Sequence, residues 1–283
     1  MRFFDLHCDT VTSLLSNGGT LTKNDLAVSF EKARCFEKWS QCFAIWINDG
    51  MKDPFGFYHN VLKKYKSETQ NAPPDLTCFL TVEGGTLIEN DLSRIEALKN
   101  DGVCALTLTW NGENNIASGA CAQGGLKSFG KEVISELNRF SMICDLSHLN
   151  KESFFSCLEI ADIPMASHSC CEKIHSHRRN LDDEQLKLLA QKGGIIGVCL
   201  YSEFLGGDIF ENFYKNISHL LDLGLHRYVA IGTDFDGCEM PEEMSDITKI
   251  PALYEYMLAK GFSRSLLDDI FYQNAANFFA RIK

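Results

Sequence analysis

Proline is scarce, six residues in 283, and its scatter leaves no Pro-rich linker to divide the chain. Internal repeats and low-complexity tracts are missing too, so one unit spanning residues 1–283 is the expected organisation. No run approaches the ~20 consecutive apolar residues of a membrane helix. Met1-Arg2-Phe3-Phe4 passes straight into Asp5 without the apolar stretch of a secretory leader. Basic residues are the minority: 27 Lys and Arg stand against 38 Asp and Glu, a formal net charge of −11. That balance argues against a nucleic-acid partner, whose phosphates select basic surfaces. No Gly-x-Gly-x-x-Gly follows the first strand-like run, which removes the mark of a dinucleotide fold.

Cysteine is plentiful, with 12 residues, but scattered, and Cys42, Cys104, Cys144 and Cys199 lie inside apolar runs. Buried reduced thiols behave as small hydrophobes, so a reducing, cytoplasmic setting without membrane attachment is expected.

Short apolar, β-prone runs ending in polar or Gly residues recur along the chain: Phe3–His7, Cys42–Ile47, Thr77–Glu83, Val103–Trp110, Met142–His148, Pro164–His168, Ile195–Leu200 and Tyr228–Asp234. Most are continuous rather than alternating, as for parallel strands covered on both faces. Helical spacing follows over Glu89–Asn100, Phe129–Phe140, Asp183–Lys192 and Phe210–Leu223, and a last helix is expected to be capped by Ser263. Strands and helices in this alternation predict an α/β fold, a (β/α)8 TIM barrel, with an open doubly wound sheet as the other arrangement.

Polar residues gather where those runs end. His7 and Asp9 close the first, Glu83 the third, His148 the fifth, His168 the sixth and Asp234 the eighth. In a parallel barrel all strand C-termini open on one face, so these distant residues converge. Clustered carboxylates and imidazoles are costly without cations to neutralise them. Mixed His and carboxylate ligands suit zinc, with Mn, Fe or Co compatible, and disfavour calcium. Five ligands exceed one tetrahedral ion and fit two ions sharing a carboxylate. Taken singly, each residue has an ordinary reading: His148 as a structural histidine, Asp9 as a strand end before a helix at Thr10, Glu83 as a turn residue before paired glycines. The metal reading rests on their joint occurrence.

In order, the chain carries Asp5-Leu6-His7-Cys8-Asp9-Thr10, Val82-Glu83-Gly84-Gly85, Leu106-Thr107-Leu108-Thr109-Trp110-Asn111, Asp145-Leu146-Ser147-His148, Ser167-His168-Ser169, His177-Arg178-Arg179-Asn180-Leu181-x-Asp183 and Ile231-Gly232-Thr233-Asp234-Phe235-Asp236-Gly237. This series resembles the membrane dipeptidase (renal dipeptidase) family, peptidase family M19, among the amidohydrolase-like metal-dependent hydrolases. The resemblance implies a zinc-dependent dipeptidase acting on unblocked dipeptides, with a D-residue tolerated at the C-terminal position, through a metal-bridging hydroxide. It assigns His7 and Asp9 to the first of two Zn2+, Glu83 to both, and His148 and His168 to the second. Asp234 becomes the proton carrier and Arg179, selected by the Asn180 that follows it, the partner of the substrate carboxylate. Asn180 and Trp110 are placed with it beside the substrate. Animal members carry a His where Trp110 stands, so the chain looks like the bacterial branch. The family also implies a homodimer, although the residues themselves leave assembly open.

Two other functions compete. Amidohydrolases acting on cyclic amides, lactones or phosphoesters usually open with His-x-His and a carboxylated Lys, where this chain has His7-Cys8-Asp9 and no strand-end Lys. A non-catalytic barrel serving as a binding module would be marked by lost ligands, or by Asp234 lying far from the rest. His175 and His177, a His-x-His pair in a charged loop, are expected to be structural or exposed, and Asp236 to support the turn at Gly237.

Overall fold

A computed structural model describes residues 1–282. Eight parallel strands close into a barrel in the order of the sequence: β1 (Arg2–Cys8), β2 (Lys38–Trp46), β3 (Leu76–Glu83), β4 (Val103–Thr107), β5 (Ile143–Asp145), β6 (Pro164–Ser169), β7 (Ile195–Val198) and β8 (Val229–Ile231). Helices lie between them: α1 (Thr10–Asn17), α2 (Pro54–Thr69), α3 (Ser93–Asp101), α4 (Ser128–Arg139), α5 (Lys151–Ile160), α6 (Asp183–Gln191), the single turn α7 (Ser202–Leu205) and α8 (Ile209–Asp222). After β8 come α9 (Ile250–Ala259), α10 (Arg264–Asp268) and α11 (Asn274–Phe279), the last two joined through a π-helical turn at Asp269–Gln273. The expected barrel is the observed one; the open sheet is not.

Helix starts follow their caps. Asp182 and Gln185 form a reciprocal capping box at α6, the Asn150 side chain accepts from Ser153 N at α5, and Ser263 accepts from Leu266 N as expected. The helix expected from Glu89 begins instead at Ser93, because Glu89 has φ 51° and interrupts any helix there.

Two apolar layers hold the barrel. One residue from nearly every strand (Phe4, Leu6, Cys42, Ala105, Ile143, Met165, Ile195, Ala230) packs with Tyr272, Phe278 and Phe279 of the C-terminal helical segment, which plugs the interior. A larger layer lies between strands and outer helices, with Phe3 stacked on Phe36 at 5.2 Å and touching Phe271. Among the described residues no helix is long and apolar enough to cross a membrane.

The strands' C-terminal ends leave regular pairing. The β1–β2 register shifts between Asp5 and Cys8, and the β6–β7 register between Ala166 and Ser169. Such irregularities re-aim side chains, and here they flank His7 and His168. The second needs two glycines: a Cβ on Gly197 or Gly232 would lie 1.9 or 1.8 Å from the Ser167 carbonyl oxygen. The runs expected to continue to Trp110, His148, Leu200 and Asp234 stop pairing at Thr107, Asp145, Val198 and Ile231. Side chains take over there, as where Thr233 N donates to Asp5 Oδ1 at 2.8 Å.

Candidate metal centre and substrate cavity

At the strands' C-terminal face, His7, Asp9, Glu83, His148, His168 and Asp234 converge, each at most 9 % exposed. Glu83 ends β3 and lies between two groups of side chains. Its Oε2 is 3.5 Å from His7 Nε2, and its Oε1 is 2.6 Å from His148 Nε2 and 3.7 Å from His168 Nε2. His7 Nε2 also lies 3.2 Å from Asp9 Oδ2 and 3.8 Å from Asp234 Oδ1. The potential ligand atoms of His7, Asp9 and Glu83 lie within 4.8 Å of one another, and so do those of Glu83, His148 and His168. A third such group, His7, His168 and Asp234, joins the two.

Electrostatics divide the cluster. Burial pushes the Asp9 carboxyl up to about 6, with Glu83 adding to the effect. Burial likewise pushes Asp234 up to about 7, with Asp9 and Glu83 adding and His7 opposing. Burial disfavours a charged His7, yet the facing Glu83 and Asp9 carboxylates outweigh it and hold its pKa well above the histidine range. Burial raises Glu83 too, but His148 and His7 outweigh it and hold the group well below the carboxylate range. Burial and the Arg179 charge lower His148 to about 4. Burial with the His7, Arg179 and His148 charges lowers His168 far below its usual value. The 2.6 Å His148–Glu83 contact is therefore not an ordinary ion pair, because His148 is held neutral.

Neutral imidazoles are the form that ligates metals. His148 Nδ1 lies 3.0 Å from Asn111 Oδ1 and His168 Nδ1 lies 2.8 Å from Ser167 Oγ, so both rings are anchored through Nδ1 while their Nε2 atoms face each other at 2.8 Å beside Glu83. With both Nε2 atoms bare, their lone pairs would repel, and a cation is what would reverse that repulsion. Asp9 Oδ1 is buried with no hydrogen-bond partner. Gly237 closes the far side, where a Cβ would stand 2.3 Å from Asp9 Oδ2 and 2.6 Å from Asp234 Oδ1. The donor set fits metal ions of the zinc type. His148 and Asp234 also adopt left-handed backbone, φ 69° and 64°, a strain that collects at functional sites.

Asp9, Glu83, His148 and Asp234 of the cluster line a cavity of about 680 Å³. Arg179 lines it, buried; its Nη2 donates to the His168 carbonyl at 3.3 Å, and its Nε has no partner. Its guanidinium lies 5.2 Å from the centre of the Phe204 ring. Trp110 also lines the cavity, edge-on to Trp46 at 5.3 Å. Asn180, expected beside the substrate, does something else. Its Nδ2 donates to the carbonyls of His175 and Phe204, each at 2.8 Å, and its Oδ1 accepts from Cys170 N. It clasps the loop that presents Arg179. His177, expected to be structural or exposed, lines the cavity against Phe204. Asp236 receives Ala27 N at 2.7 Å and the Thr10 hydroxyl, so it supports the turn.

Sequence reasoning did not single out Trp46, Tyr201 and Glu203 as cavity residues; Trp46 ends β2, so the strand-end rule reaches it. It also passed over Asn111, Asp145 and Ser167, which stood inside motifs already recognised.

The profile of the membrane dipeptidase family (Peptidase family M19) matches residues 58–283. The chain belongs to that family. The matched stretch contains Glu83, His148, His168, Arg179 and Asp234, while His7 and Asp9 precede it. Dipeptidase 3 of Mus musculus is 28% identical over 226 residues, 75% of this chain and 46% of that protein. An uncharacterised dipeptidase of Schizosaccharomyces pombe is 29% identical over 206 residues, 69% of this chain and 50% of that one. The chain thus spans about half the length of these two relatives. Among solved structures, the dipeptidase AC, a metallo peptidase of family M19, superposes with TM-score 0.91 at 22% identity, covering 99% of this chain and 98% of that one. A metallo peptidase from Rhodobacter sphaeroides, liganded with a phosphinate mimic of the dipeptide L-Ala-D-Ala, superposes at 0.85 with 21% identity, covering 100% of this chain and 99% of that one.

Proposed function

We propose that this membrane dipeptidase family member hydrolyses unblocked dipeptides, using two zinc ions held by His7, Asp9 and Glu83 and by Glu83, His148 and His168. One observation carries the reading: a single cavity contains both the Glu83-centred cluster and a buried guanidinium with unused donors, Arg179. When bound, the ions would polarise the scissile carbonyl and bring the pKa of water toward neutrality. Arg179 offers a planar fork to the free carboxylate of a C-terminal residue. Asp234, 3.8 Å from His7, can accept a proton at its carboxylate and return it to the leaving amine.

The dipeptide mimic held by the Rhodobacter sphaeroides relative supports this substrate class, including a D-residue at the C-terminal position. The cyclic-amide alternative has less support: no lysine is among the described residues lining the cavity, and Glu83 belongs to both the His7–Asp9 and the His148–His168 groups of ligand atoms. The lost-catalysis alternative has less as well, with Asp234 beside His7. The test is zinc analysis coupled to hydrolysis of L-X-L-Y and L-X-D-Y dipeptides before and after chelation. Two ions per chain and activity that returns with zinc are expected. One ion per chain, or activity surviving full metal removal, would sink the two-ion reading.

A further inference from the structure

We propose that Asp145 is a positioning residue that sets the tautomer of His168 through the Ser167 hydroxyl. The consequence for metal binding rests on His168 being a ligand, as above; the tautomer itself does not.

Asp145 ends β5, buried, and its carboxylate meets four donors. Oδ1 accepts from Ser147 N at 3.1 Å and Ser167 N at 3.0 Å. Oδ2 accepts from Thr107 Oγ1 at 2.8 Å and Ser167 Oγ at 2.5 Å. An ionised carboxylate only accepts, so the single hydroxyl hydrogen of Ser167 goes to Asp145 Oδ2 at 2.5 Å rather than to Ser147 Oγ at 3.2 Å. The same Oγ lies 2.8 Å from His168 Nδ1. With its hydrogen used, Ser167 can only accept there, so Nδ1 carries the ring proton. In a neutral imidazole that leaves Nε2 bare, the atom that faces Glu83 and His148. Ser147 steadies the same unit, its Oγ accepting from His168 N at 3.2 Å.

The arrangement has a direction, and one nearly isosteric change reverses it. In Asp145→Asn the two backbone N–H groups keep the amide oxygen at the Oδ1 position. The amide NH2 then stands at Oδ2 and donates to Ser167 Oγ, releasing the serine hydrogen toward His168 Nδ1. The proton moves to Nε2, where it blocks ligation, although no hydrogen bond has been lost. Ser167→Ala merely removes the partner and leaves both tautomers open. Asp145→Asn should therefore be the more damaging of the two, whereas a merely structural role makes it the milder.

Long-range 1H–15N correlation spectra of the full chain, stripped of metal and 15N-labelled, read the tautomer; competition with a chromogenic chelator reads zinc affinity. We expect the Nδ1–H form for His168 in the wild type and the Nε2–H form in Asp145→Asn. Zinc affinity should fall roughly 10–100-fold in Asp145→Asn and less in Ser167→Ala. An Nε2–H form in the wild type overturns the proposal, even if the variants fail to fold. So does Asp145→Asn with unchanged zinc affinity, or Ser167→Ala with the larger loss. A wild type with the Nδ1–H form that binds no zinc would uphold the tautomer lock and overturn the dipeptidase reading.

Discussion

Replacing Arg179 with methionine keeps the unbranched aliphatic stem but deletes the charge, every donor and the guanidinium that lies over Phe204. Arg179 is buried at 5 % exposure, and among its described contacts the guanidinium spends one N–H on the His168 carbonyl, at a long 3.3 Å. The rest of the fork, including the unpartnered Nε, is free for a ligand. Hydrogen bonds to charged groups contribute about 1.5–3 kcal/mol each. Two parallel bonds to a carboxylate, reduced by desolvating that carboxylate, leave roughly 3–4 kcal/mol, or about 10²–10³-fold in kcat/KM. Most of this should appear in KM, because the contact exists before and during reaction. The assay is a cycle: wild type and Arg179→Met, each with a free dipeptide and its C-terminally amidated analogue. Wild type should strongly prefer the free acid and the variant should not. If Arg179→Met loses the same factor on both substrates, the guanidinium does not read the carboxylate and the reasoning is refuted.

Gly237→Ala inserts a methyl 2.3 Å from Asp9 Oδ2 and 2.6 Å from Asp234 Oδ1. Zinc affinity should drop roughly 10–100-fold with the circular dichroism spectrum unchanged; full metal content would contradict the cradle. Chelation should lower Tm, and zinc at ~100 times its Kd should restore about 2.7 kcal/mol for each of the two ions, or about 9 °C in all; a Tm indifferent to zinc removes the ions from the folded state. Asp5 supplies the pH prediction, since burial raises it from 3.8 to about 6 despite four accepted hydrogen bonds. The folded chain holds that proton more tightly than the unfolded one. Its contribution, on the order of 3 kcal/mol, is present in full below pH ~4 and lost as pH rises through ~6. The stability gap between wild type and Asp5→Asn, which isolates this carboxyl from the opposing His148 and His168, should shrink by that amount between pH 4 and 7. Urea titrations showing a pH-independent gap would count against it.

The barrel was legible because each strand, covered on both faces, must be a continuous apolar run, and eight such runs alternate with helical spacing. The helices α2, α5 and α9 escaped notice. On α2, buried Tyr58, Val61 and Leu62 stand among Lys63, Lys64 and Lys66, which blurs the period. Regular pairing ends up to three residues short of Trp110, His148 and Asp234; His148 and Asp234 take left-handed backbone, and their backbone groups bond outside the ladder, His148 O accepting from Ala120 N and Asp234 N donating to His7 O. The resemblance sets Asn180 beside the substrate with Arg179, but adjacent residues in a loop point in different directions, and this one points at backbone carbonyls.

By itself the sequence determined which polar residues stand at or within three residues past the strands' C-terminal ends, and with the order of its motifs it pointed to the family. Those are local facts: where an apolar run stops, and which polar residue stops it. Only the tertiary structure decided that Glu83 lies between two groups of ligand atoms, that Arg179 is buried with donors to spare, and that Ser167 stands between Asp145 and His168. These depend on how the strands tilt and slip past one another. The register shifts at Asp5–Cys8 and Ala166–Ser169 set those distances, and a pattern of apolar residues carries no record of them.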